Sequence, residues 1–244
     1  AQAGGENFRP FDAVDGRRGE GSEYFDRDGF FTLYGRDPLP GEIGCAVSHF
    51  KVLQEFAYSA GRDEDLVLVA EDDARWVEGA LDIVSGIADS VIEAGMIVLA
   101  NEIQIQLSLF ARPVHRDGLT IYRVGHNWGN AWSMGLYLSS RAAARRYVDA
   151  CEPGIGWVAD HFSLFRRTMG IDVKVLQPSI VSWEGESSIR SAPTFGTRVG
   201  RRHWDRASAV KALQGAARGV GGTAAATARD IAWMTGIRDP RRVR

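Results

Sequence analysis

Apolar positions change their period several times along this chain, and each change marks an element. From Ile43 they recur at helical spacing through Val47, Phe50, Val52, Leu53 and Phe56, which predicts a helix starting near Gly41 and ending at Ser59-Ala60-Gly61. Residues 66–70, Leu-Val-Leu-Val-Ala, are uninterrupted apolar, the pattern of a strand buried on both faces of a parallel sheet. Residues 76–93 return to helical spacing, and Met96 to Ala100 form a second short strand-like run. Ile103, Ile105, Leu107 and Leu109 then alternate with polar neighbours, and Leu119 to Tyr122 read as another strand, so 101–123 is expected to be a β-ribbon. Trp132 to Leu138 predicts a strand leading into a helix over Ala142 to Ala150, capped by Ser139 or Ser140 and stopped by Pro153-Gly154. A short helix over Asp160 to Met169 and a strand over Val173 to Leu176 complete the alternation. The first ten residues read as a disordered lead-in and residues 16–41 as a long loop. Helix and strand alternating in this way predict an α/β fold, a mostly parallel sheet flanked by helices.

Composition bounds this picture. The chain has 244 residues, enough for one substantial domain, and no apolar run approaches the roughly 20 residues of a membrane span. Its two cysteines, Cys45 and Cys151, make no disulfide framework, and no signal peptide pattern precedes residue 1, so a cytoplasmic location is expected. The net charge of −2 hides an asymmetry: residues 198–244 hold eleven Lys/Arg against three Asp/Glu, residues 1–197 eighteen against twenty-eight. We therefore divide the chain into a domain over 1–197 and a basic tail over 198–244, helical or partly disordered. The acidic body argues against nucleic-acid binding. Residues 201–218, with Trp204, Val210, Leu213 and Ala217 on one face, are a candidate amphipathic helix for an anionic membrane surface, which would make the protein peripheral to the inner face of the cell membrane. A solvated tail fits the same composition.

The candidate chemistry sits where the 66–70 strand ends. Glu71, Asp72 and Asp73 are three consecutive carboxylates at the carboxyl end of a strand, where open α/β sheets place ligands, and hard oxygens suit Mg²⁺ or Mn²⁺ shared with a diphosphate. The same triplet also serves as an ordinary strand terminus whose acids face the next helix. Ser48 and His49 lie inside the amphipathic helix, where His49 either meets a diphosphate or is satisfied by a neighbouring carbonyl. Cys45 reads as a small core residue. Asp160 follows the glycine-rich loop Pro153 to Trp157, whose indole is a candidate sugar platform. The aspartate is a candidate general base, and an N-cap of the following helix by the competing reading.

Taken in order, these pieces resemble the glycosyltransferase family 25 enzymes, which include lipooligosaccharide and collagen galactosyltransferases. The resemblance runs through Ala13-Val14-Asp15-Gly16, Gly41-Glu42-Ile43-Gly44-Cys45-Ala46-Val47-Ser48-His49, Glu71-Asp72-Asp73, Gly135-Leu136-Tyr137-Leu138-Ser139, Asp160-His161-Phe162, Pro178-Ser179-Ile180 and Glu186-Ser187-Ser188-Ile189. It implies a GT-A type nucleotide-sugar-binding fold and an enzyme, a hexosyltransferase. This would move a hexose, galactose first, from a UDP-sugar to a saccharide or glycolipid acceptor in surface glycolipid or polysaccharide synthesis, with inversion and with Mn²⁺ or Mg²⁺. Under it, Glu71 and Asp73 are metal ligands, Asp72, Glu42, Ser48 and His49 contact the donor, and Asp160 is the base. Glu184 and Glu186 are fallback bases, and His126, Asn127, Trp128 and Asn130 are candidate substrate contacts.

One departure bears on activity. The family's strand with an Asn-Leu pair, expected before Ala13, has no counterpart in residues 1–12. Either that segment lies ahead of residue 1 of this sequence, or the sheet lacks its first strand and would present a free hydrophobic edge. This gives weight to an alternative from another class, a degenerate nucleotide-sugar or glycan-binding module without turnover. A metal-dependent phosphoesterase is weaker, because no second metal site can be assembled from the histidines.

Overall fold

The computed structural model describes residues 8–91, 94–99, 102–104, 113–124 and 130–183. The basic tail, residues 126–128, and Glu184 to Ser188 lie outside the described residues, as does the amphipathic helix expected at 201–218.

Two 3-10 turns, Gly16–Arg18 and Ser22–Tyr24, lead into helix α1 (Arg27–Tyr34). The Asp26 carboxylate caps α1 by accepting from the Gly29 N–H at 2.9 Å, and Gly35 closes it at φ +70°. Residues 16–41 are therefore not one long loop. α1 escapes the periodicity reading because it is eight residues long and fully buries only Phe30. Helix α2 (Pro40–Tyr58) follows, with Pro40 at its first position, where its missing N–H costs nothing.

Strands β1 (Leu66–Ala70) and β2 (Ala74–Trp76), helix α3 (Ala80–Ile87), and strands β3 (Gly95–Val98), β4 (Glu102–Gln104), β5 (Val114–Arg116), β6 (Leu119–Arg123), β7 (Asn130–Trp132) and β8 (Leu136–Ser140) come next. Helix α4 (Arg141–Cys151) is capped by Ser140, which accepts from the Ala143 N–H at 3.1 Å. The segment after Asp160 is a single turn, α5 (Phe162–Leu164), continued by a π-helical turn over Phe165–Met169, before β9 (Asp172–Gln177) and β10 (Val181–Trp183). No helix among the described residues is long and apolar enough to cross a membrane.

The main sheet has six strands in the order β1-β8-β3-β9-β6-β5. Only β3 and β9 run parallel; the other four neighbouring pairs are antiparallel. This corrects the expectation of a mostly parallel sheet. The apolar run 66–70 does not mark a central parallel strand: β1 is the outer strand of the described sheet, pairs antiparallel with β8, and has only Val69 fully buried. An uninterrupted apolar run reports cover on both faces, not strand direction, and both faces are covered. Val67 and Val69 join the layer containing α2 and α4, whereas Leu66, Leu68 and Ala70 pack with Val84 and Ile87 of α3. Fully burying side chains such as Leu53 or Ile97 contributes about 1.5–3 kcal/mol each.

Two close approaches set the position of α2. At its beginning the chain before the first turn lies directly on the helix: a Cβ on Gly44 would meet the Val14 carbonyl oxygen at 2.5 Å, so only glycine fits. At its end the buried Arg141 turns back across the last turn, donating to the carbonyls of Ser59 (2.9 Å), Arg62 (3.0 Å) and Ala60 (3.3 Å), and also to that of Phe56. The guanidinium thereby satisfies one carbonyl that the helix end leaves open, that of Phe56, and three in the segment just beyond it. Gly61 is needed because a Cβ there would strike the Arg141 guanidinium.

Candidate functional site

The strand end of β1 and one face of α2 meet in a polar cluster. A four-residue spacing stacks Cys45 and His49 on the same face of α2, and that face is turned towards Glu71. The His49 Nε2 lies 3.3 Å from Glu71 Oε1, and the Cys45 thiol donates to the same oxygen at 3.8 Å. On the other side of the ring, His49 Nδ1 lies 3.1 Å from the hydroxyl of the fully buried Tyr137 on β8. Burial works to raise the Glu71 carboxyl, but the hydrogen bond and charge of His49, with the Cys45 thiol, outweigh it and leave the carboxyl below its ordinary value. The Cys45 thiol is pushed well up by burial and by the charges of Glu71 and Asp160.

Asp160 enters from a distant part of the chain and shares this environment. Its carboxylate Oδ2 accepts from the Ser133 backbone N–H at 3.0 Å. Burial drives its pKa up, and Glu71's charge adds to that, against the Ser133 hydrogen bond and the influence of His49. Ser133 has a φ of +99°, outside the range side-chain-bearing residues ordinarily take, a strain that the surrounding hydrogen bonds maintain. Its hydroxyl accepts from the Gly135 N–H at 3.3 Å, while the Gly135 carbonyl accepts from the Glu71 N–H at 2.9 Å. Three residues thus strap the backbone of Glu71 to the carboxylate of Asp160.

The other expected site residues divide clearly. Asp73 and Asp72 are exposed just beyond Glu71. Burial and the charges of Glu71 and Asp72 raise the Asp73 carboxyl, and Arg75 offsets this only in part. Glu42, expected near the donor, is instead committed to the start of α2: it accepts from the Leu39 N–H at 2.7 Å and pairs with both terminal nitrogens of Arg36. Ser48 is likewise committed, accepting from the Val14 N–H at 2.9 Å and donating to the Gly44 carbonyl at 2.7 Å. His49 faces Glu71 and Tyr137, which leaves its diphosphate role without support in the geometry. The Asp160 side chain is not the cap of α5: the cap position of that helix is His161, and no side chain caps it.

The loop before Asp160 is pinned. Ile155 is fully buried, donates to the Tyr24 carbonyl at 2.9 Å and accepts from the Asp26 N–H at 3.0 Å. The Trp157 indole nitrogen is buried beside Tyr147, so the ring of this half-buried residue is turned partly into the core. Asn130 falls in β7.

Sequence reasoning missed Cys45 as a polar partner, although its four-residue offset from His49 was the available signal. It also missed Tyr137 and the Ser133 strap, for which only the fold places the residues. No family model matches the chain, and no curated protein matches it.

Proposed function

We propose that the chain is a metal-dependent hexosyltransferase of the GT-A type, moving a sugar, galactose first, from a UDP-sugar to an acceptor hydroxyl with inversion. The observation that carries this reading is the convergence of Glu71, His49 and Asp160, from three of the motifs behind the family resemblance, at the carboxyl end of one strand. The sheet is mixed, so the GT-A assignment rests on the ordered motifs and the site, not on strand direction.

The donor set fits a hard divalent ion. Burial first, and then the charges of Glu71 and Asp72, raise the Asp73 carboxyl, and a cation there would offset both. Glu71 and Asp73 would hold the ion, which when bound neutralises charge developing on the departing nucleotide diphosphate. His49 fixes the orientation of Glu71. Asp160, with its carboxyl raised and held by the Ser133 N–H, takes the proton of the acceptor hydroxyl as the new glycosidic bond forms.

UDP release with Mn²⁺, with and without saccharide acceptors, tests the reading. Asp73→Asn is expected to lower acceptor-dependent release by about 100-fold or more with an unchanged circular dichroism spectrum. Full activity of that variant would sink the metal assignment. The second reading is a binding module without turnover. It predicts UDP binding by calorimetry and no UDP release with any acceptor.

A further inference from the structure

We propose that Cys45 Sγ, His49 Nε2 and Glu71 Oε1 form a second kind of metal site at this strand end, one selective for a borderline-soft divalent cation, with Zn²⁺ the best match. The three ligand atoms lie within 4.8 Å of one another. Two of the edges are 3.3 Å, from His49 to Glu71, and 3.8 Å, from Cys45 to Glu71. A tetrahedral zinc with bonds of about 2.0–2.3 Å needs ligand–ligand edges of roughly 3.3–3.6 Å, so the triangle closes onto an ion with small side-chain adjustments.

The supporting structure is in place. Cys45 and His49 are held on one turn of a long helix, and Glu71 is fixed by its N–H on the Gly135 carbonyl. The Tyr137 hydroxyl at His49 Nδ1 sets the ring so that Nε2 points at the other two ligands, the outer-shell contact that metal-binding histidines characteristically make. On binding, the thiol gives its proton to solvent and the thiolate becomes the ligand.

The donor set is selective. A sulfur, an imidazole nitrogen and one carboxylate oxygen suit Zn²⁺ or Co²⁺, whereas Mg²⁺ demands an octahedron of oxygens. Both kinds of site share Glu71. The regulatory consequence rests on the transferase reading above: a soft ion held by Cys45 and His49 draws Glu71 away from the diphosphate-bound hard ion, so Zn²⁺ acts as an inhibitor.

Cobalt substitution tests the site without any activity assay. The full chain, stripped with chelator and titrated with Co²⁺, is expected to develop a near-ultraviolet thiolate-to-cobalt charge-transfer band that saturates at one ion per chain. Zn²⁺ should bleach the band and Mg²⁺ should not. Cys45→Ser should abolish the band and weaken Zn²⁺ binding on the order of 100-fold or more, while Cys151→Ser, which removes the only other thiol, keeps both. His49→Asn, with both thiols intact, is expected to weaken Co²⁺ binding by a similar factor, which separates loss of a ligand from loss of a thiol. Far-ultraviolet circular dichroism checks that each variant is folded. Absence of the band in the wild-type chain, its persistence in Cys45→Ser, or displacement by Mg²⁺ overturns the site. If the band behaves as stated and UDP release is detected but not inhibited by Zn²⁺, the inhibitory role is overturned. If no UDP is released under any condition, the transferase reading fails while the site stands.

Discussion

The two ends of β1 are built on opposite electrostatic plans. At its beginning, acids meet cations and open carbonyls meet donors: Arg141 lies against Asp65 and the end of α2, Arg145 pairs with Asp63, and the Arg62 N–H donates to the Asp65 carboxylate at 2.8 Å. The Asp65 carboxyl is accordingly held below its ordinary value, by that Arg62 N–H first and then by the charges of Arg62 and Arg141. At the other end, five residues on, acids meet acids. Asp73 and Asp160 are both pushed upward, by burial first and then by the charge of Glu71, and Glu71 is met by a histidine and a thiol instead of an arginine or lysine. A balanced end stabilises the fold by itself. An end left rich in negative charge is where our proposal puts the bound cation, and the contrast sets function at one end against stability at the other.

The largest test of that division is Arg141→Ala. Removing a buried guanidinium that serves several carbonyls should cost about 3–5 kcal/mol, read as a lower urea midpoint, and a loss below about 1 kcal/mol would break the comparison. Next comes pH. His161, beside Asp160, has its pKa lowered from 6.5 to about 4, by burial first and by Arg167 second, and the neutral ring lies 2.6 Å from the Tyr34 hydroxyl. A base whose folded pKa is depressed must be neutral in the native state. Its stabilisation is therefore complete above about pH 6.5 and lost as pH falls towards 4, by roughly 2–3 kcal/mol. Thermal melts across that range should show the slope, and His161→Gln should flatten it.

Ser48→Ala removes the tie between Val14 and Gly44 and should cost about 1 kcal/mol by denaturant melt, with no selective loss of metal binding. The smallest effect sharpens the contrast most. Asp73→Asn at pH 7 should leave stability unchanged or raise it by less than about 0.5 kcal/mol, because the charge it removes is opposed by its neighbours and screened by solvent. A clear destabilisation by Asp73→Asn would place that carboxylate with the structural acids.

Periodicity found α2, β1, β3, β8, α4 and β9 because each commits a face or a whole strand to the core. It did not find α1, which buries one residue, nor the directions of the strands, since pairing is decided by neighbours far along the chain. The helix expected over residues 76–93 is present as the shorter α3, Ala80–Ile87, continued by a 3-10 turn at Ala88–Ser90; Trp76 ends β2, and residues 92–93 lie outside the described residues. Within the site, Glu71, His49 and Asp160 were legible as chemistry-bearing residue types. Their mutual contacts were not, because they join α2, the end of β1 and the Ser133 turn, which lie far apart in the chain. Glu42 and Ser48 carry backbone contacts that their spacing did not announce, since polar residues of a helix serve backbone groups as readily as ligands.

Arg141 also imposes an order on synthesis. The carbonyls it serves lie 79 to 85 positions earlier in the chain, and among the described residues β1 gains its sheet partner only when β8 is made, with Leu66 opposite Ser140. A growing chain that has just emerged past Ala70 therefore carries an apolar strand and a helix with a ragged end, and neither is finished until translation has passed residue 141. That interval is the window in which an unpaired strand is open to other chains, and in which a chaperone holding the nascent chain would have most effect.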